Sequence, residues 1–140
     1  MGNNQGTRSY VIDCNVAIKW FLIKEDSSEE ALSFLIKATA REILLFAPTI
    51  LAIEFANVLT KHNKQKSLDQ IKCKKHFDQF KKVCDQKVIT LITIDDKEEM
   101  FKLALDETIS YYDAEYLYLS KKLKFPLISY DKKLKKIATK

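Results

Sequence analysis

Four acidic residues stand where carboxylate chemistry is possible. Asp13 follows the apolar run YVI, Asp131 follows LISY, Asp113 opens DAEYLYLS, and Glu54 lies in PTILAIEFANVLTKH. On a helix, Glu54 has Ile50 and Leu51 one turn before it, Val58 one turn after it and Asn57 alongside, so it sits on or beside the apolar stripe. A carboxylate taken out of water costs several kcal/mol, and Glu54 therefore needs a cation, a hydrogen-bond donor or an opening to solvent. A stripe-edge glutamate that snorkels outward, or bonds a nearby lysine, is the alternative. Asp13 and Asp131 each have a second reading as the N-cap of a following helix. Asp113 lies in the first turn of a helix that Ser110 can cap, where the helix dipole alone favours an acid.

Capping does not ask three aspartates and a stripe-facing glutamate to share one place. Two unit charges about 4 Å apart repel by about 4 kcal/mol at an effective dielectric of 20, so four acids together call for a counter-charge. A divalent cation supplies it. Oxygen donors without a Cys/His set favour hard Mg²⁺ or Mn²⁺ over zinc. Asn15, two residues beyond Asp13, is placed to orient a carboxylate or a bound water.

The elements that must position these residues are read from hydrophobic period. Ser9–Ile12, Ile43–Phe46, Val88–Ile94 and Leu127–Tyr130 read as buried strands. Helical spacing covers Ser28–Ala40, Pro48–His62, Leu68–Cys84, Asp96–Leu105 and Tyr111–Leu123, with Pro48 at a first helical position and Asp95 with Glu98 as a capping box. Strands separated by helices imply parallel pairing: an α/β fold, a three-layer α/β/α sandwich around a central parallel sheet of four to five strands. Asp13 and Asp131 then project from the sheet's carboxyl edge, where open α/β folds bind ligands. The Leu68–Cys84 helix is amphipathic and is expected to pack on the core.

The chain has 140 residues, 46% hydrophobic and 31% charged, which describes one compact soluble domain. Residues 1–8, holding both glycines, read as a flexible polar tail and residues 9–140 as the single domain. The longest stretch free of charge, Ile43 to Ile53, is eleven residues, short of the roughly 17 to 25 a bilayer span needs. No membrane helix is expected, and a cytoplasmic location fits three unpaired cysteines, Cys14, Cys73 and Cys84. Cys14 reads as small buried filler. A Cys73/His76/Cys84 zinc site lacks a fourth ligand. Lys61 to Thr90 carries nine Lys against three Asp, and Leu119 to Lys140 eight Lys against one Asp. These basic segments can draw in a polyanion such as RNA through its phosphates, although solvated lysine faces would read the same way.

The segments YVIDCNVAIKWF, APTILAIEFANVL, SYYDAEYLYLS and PLISYDKKL, in this order, resemble the successive signature blocks of PIN-domain proteins, in particular VapC-type toxins of toxin–antitoxin pairs. The resemblance runs from about Ser9 to Ile137. It implies a PIN-like fold and metal-dependent endonucleolytic cleavage of RNA. By the same resemblance Asp13, Glu54 and Asp113 match the three main metal-binding carboxylates, Asp131 the fourth acidic position and Asn15 the polar residue of the first block. It further implies a cognate antitoxin and a homodimer. Tyr111 and Tyr112 can stack on a base, with core packing as the other reading. Two other functions remain open: a non-catalytic RNA- or protein-binding domain of the same fold, and a phospho-accepting receiver-like domain.

Overall fold

Four short runs rich in Ile, Leu and Val pair side by side, as such residues do on a pleated surface. The structure, a computed structural model, describes residues 7–22 and 28–139. Strands β1 (Arg8–Ile12), β2 (Ile43–Pro48), β3 (Ile89–Ile92) and β4 (Leu127–Ile128) form one parallel sheet in the order β3-β2-β1-β4. Val11 lies opposite Phe46 on one side and Leu127 on the other, and Leu45 lies opposite Ile89. Most of the expected tail, residues 1–6, falls outside the described residues, and Arg8 already belongs to β1.

The helices are α1 (Cys14–Ile18), α2 (Ser28–Thr39), α3 (Ile50–Lys64), α4 (Gln70–Asp85), α5 (Lys97–Glu107), α6 (Tyr111–Leu123) and α7 (Lys132–Ala138). The chain steps from β1 to β2 to β3 in one direction and then crosses back to β4 beyond β1. Parallel crossovers are right-handed, so that reversal puts α5–α7 on the face opposite α1–α4. Accordingly α6 lies against β1, β2 and β4 while α5 and α7 lie against α6, and on the other side α3 packs on β2 and α4 on β3. The expected α/β sandwich is present with four strands.

The core follows the same division. Phe55 of α3 stacks on Phe80 of α4 with ring centres 4.2 Å apart, and Phe21 meets Phe55 edge-on at 5.5 Å. Leu45, Ala47 and Ile89 from the sheet join them. A second cluster of Leu117, Leu134 and Ile137 pins α7 to α6. Helix α4 packs on the core through Phe80, Phe77, Cys73 and Val83, although Ile71 at its start stays exposed.

Several boundaries differ from the sequence expectation for physical reasons. Pro48 ends β2 instead of opening α3, because Thr49 N–H still bonds to Ile92 O across the sheet at 3.0 Å. The cap of α5 is Asp96, which accepts from Glu99 N–H, one residue later than the expected Asp95 and Glu98 pair. Strand β4 stops at Ile128, and Ser129 beyond it bonds through its side chain to Asp13 and to the Asp131 N–H. Helices α1 and α7, five and seven residues long, are too short for a periodic signal.

Helix exits share one device. After α2, α3, α4, α5 and α6 comes a residue at positive φ: Arg41, Lys66, Lys87, Thr108 and Lys124. In each case the next N–H reaches back five residues, as in Glu42 to Lys37 O and Ile109 to Ala104 O. This is the Schellman turn, made without glycine.

Candidate active site

The strand order reverses between β1 and β4, and open α/β sheets bind their ligands beyond the carboxyl ends of the strands at such a point. Asp13 leaves β1 there. It is 4% exposed; its Oδ1 accepts from Val16 N–H at 3.2 Å to cap α1, and its Oδ2 accepts from Ser129 Oγ at 2.5 Å. The cap reading of Asp13 from the sequence thus holds, and Ser129 takes the oxygen that the cap leaves over. Asp131, exposed, caps α7 by accepting from Leu134 N–H at 2.9 Å, and its own N–H donates to Ser129 Oγ at 3.1 Å.

Glu54 comes from α3, one turn below the end of β2, and is partly buried. A tyrosine is its partner: the Tyr116 hydroxyl donates to Oε1 at 2.6 Å. Asp113 sits in the first turn of α6, which Ser110 caps by accepting from Asp113 N–H at 3.0 Å. Asn15 is exposed, and its backbone N–H helps to favour ionised Asp13. Tyr111 packs against the core, as one reading expected, while Tyr112 is 46% exposed.

The electrostatics tie the acids together. Burial, with a smaller push from the Asp113 charge, raises the Asp13 carboxyl from 3.8 to about 6 against the pull of Ser129 and Val16. Glu54 is raised first by burial and then by the charges of Asp113 and Asp13, with the Tyr116 hydroxyl opposing. Asp113 is raised by burial and by Asp131. The charges that act on these three are those of other acids. Burial and hydrogen bonding to Glu54 hold Tyr116 well above the usual phenol range, so it remains a donor.

All the donors are hard oxygens, a set that fits a divalent cation such as Mg²⁺ or Mn²⁺. As they stand, no three His, Cys, Asp or Glu side chains among the described residues form a ready-made chelate. The acids are turned to their own partners: Asp13 to Val16 and Ser129, Glu54 to Tyr116, Asp131 to Leu134. The cysteines do not assemble either; Cys73 Sγ donates to Leu59 O, His76 pairs with Gln79, and burial pushes the Cys14 thiol far up, as suits inert filler. Sequence patterns did not single out Ser129 or Tyr116. The available signal was position, Ser129 two residues before Asp131 and Tyr116 three after Asp113.

A family model described as PIN domain matches residues 10–140. No curated protein matches the chain. Among solved structures, the crystal structure of PAE2754 from Pyrobaculum aerophilum is similar in fold, with a TM-score of 0.67 and 16% sequence identity over 91% of this chain and 84% of that one.

Proposed function

The chain belongs to the PIN-domain family, whose members are generally nucleases, and on that premise we propose that it is a metal-dependent endoribonuclease, the VapC-type toxin of a type II toxin–antitoxin pair. What supports the reading is proximity of acids from the end of β1, α3, α6 and the start of α7: the charges of Asp113 and Asp13 act on Glu54, that of Asp113 on Asp13, and that of Asp131 on Asp113. Asp13, Glu54, Asp113 and Asp131 are the residues proposed to hold Mg²⁺ or Mn²⁺. Such an ion, when bound, supplies an activated water and stabilises charge on the leaving oxygen.

The chain's own residues do the rest. Val16 N–H and Ser129 orient Asp13, and Tyr116 holds Glu54. The acids position and do not attack phosphorus. Substrate binding falls to lysine: Lys132, Lys135 and Lys136 are exposed on α7, which begins beside Asp131, and Lys122 and Lys124 are exposed at the end of α6. Leu134 and Ile137 bury the other side of α7, which turns those ammonium groups outward toward RNA phosphates. No described helix is long and apolar enough to cross a membrane. A cytoplasmic homodimer held inactive by its antitoxin completes the proposal.

The test is cleavage of labelled RNA by the purified protein with Mg²⁺ or Mn²⁺. Asp13→Asn and Asp113→Asn are expected to abolish it while leaving the fold intact. Undiminished cleavage by both variants rejects the assigned site, and RNA retention that survives chelation with no cleavage under either metal points to a binding domain instead.

A further inference from the structure

Helix α6 brings two groups toward the acids. Asp113 lies in its first turn, and Tyr116, three residues on, shares that face of the helix. Tyr116 is 1% exposed, and its hydroxyl reaches across to Glu54 on α3. The 2.6 Å separation is that of a charge-assisted O–H···O⁻ bond. A glutamate side chain has considerable rotamer freedom to lose, and one fixed donor removes much of it before any ligand arrives. The bond takes Oε1 alone, and no other hydrogen bond to Glu54 is made among the described residues. A phenylalanine would fill the same buried space without bringing a polar atom into it.

We propose that Tyr116 is a positioning residue, which holds Glu54 by Oε1 so that Oε2 is presented to the divalent cation of the cluster. This rests on the metal-nuclease reading above. One helix then sets two of the acids, Asp113 directly and Glu54 through the phenol. Partners of this kind, one bond removed from an ion, typically govern metal affinity by one to two powers of ten.

The test is Mn²⁺ binding by calorimetry on the full chain without RNA, for the wild type, Tyr116→Phe, Glu54→Gln and the double variant. Tyr116→Phe is expected to weaken Mn²⁺ binding roughly 10- to 100-fold. In the Glu54→Gln background the same change is expected to add nothing, because the hydroxyl acts through the carboxylate. RNA cleavage by Tyr116→Phe is expected to need correspondingly more Mg²⁺ while its rate at saturation changes less than about threefold. Placing 4-aminophenylalanine at position 116, which keeps a ring-borne donor, is expected to restore most of the affinity. Thermal melts in EDTA report the fold separately. Wild-type affinity in Tyr116→Phe, with loss in Glu54→Gln, overturns the positioning role and leaves the nuclease reading standing. A wild-type chain that binds no Mn²⁺ overturns both.

Discussion

The hydroxyl of Ser129 donates to Oδ2 of Asp13 at 2.5 Å and joins the ends of β1 and β4 across 116 positions of sequence. The same oxygen accepts Asp131 N–H, so one side chain serves both strand ends. Ser129→Ala strands a buried carboxylate oxygen, and the expected loss is about 1–3 kcal/mol of stability. Ser129→Thr keeps the hydroxyl and is expected to lose less. Urea unfolding of the metal-free variants measures both, and equal stability of the alanine variant and wild type would refute the assignment.

Asp13 makes stability depend on pH with an unusual sign. Its carboxyl is raised from 3.8 to about 6, so the fold disfavours the ionised form. Below 3.8 the group costs nothing; above about 6 the full cost is present, on the order of 3 kcal/mol. Asp13 alone therefore makes the metal-free protein more stable as pH falls from about 7 toward about 4.5. Asp13→Asn is expected to remove that slope and to raise the melting temperature at neutral pH by several degrees, while cleavage is lost. A variant that melts below wild type at neutral pH contradicts the account.

Protons and a divalent cation compete for these oxygens. Mg²⁺ or Mn²⁺ is expected to raise the melting temperature strongly above pH 6 and weakly below it, where Asp13 holds its proton. At a hundredfold excess over the dissociation constant the gain is about 2.7 kcal/mol. EDTA is expected to reverse the gain and stop cleavage. Thermal shifts of the same size at both pH values would argue against cation binding at these acids.

The lysines of α7 and α4 are distinguishable. Changing Lys132, Lys135 and Lys136 to Ala is expected to weaken RNA binding evenly across sequences and to flatten its salt dependence by about 0.7 in log–log slope for each phosphate no longer neutralised. The same treatment of the exposed Lys75, Lys81 and Lys82 on α4 is expected to change little. Fluorescence anisotropy over a salt series separates the two, and a reversed result would move the RNA path to α4.

The caps at Asp13 and Asp131 and the place of Asp113 in a first turn were legible because each acid stands at the start of a helix, and Glu54 because it lies beside its own helix's apolar stripe. Tyr111–Leu123 was legible to the residue because Ser110 caps it and Lys124 ends it. Glu54's need for a cation, donor or opening could be read from its own helix, but its donor is 62 positions away on α6, a helix of the opposite face of the sheet. Ser129 was hidden for the same reason. Pro48 misled because proline suits a helix start and a strand end alike, and the bond from Thr49 to Ile92 decides between them.

The five left-handed helix exits have an engineering consequence. Non-glycine residues occupy that conformation at a cost of roughly 1 kcal/mol each, so glycine at Lys66 or Lys87 is a cheap route to a more heat-resistant chain. At Lys124 the same change would remove an ammonium group from the proposed substrate-facing surface. Thermotolerance and grip on a polyanion are thereby set against each other at that one turn, and only there does relaxing the backbone risk the job.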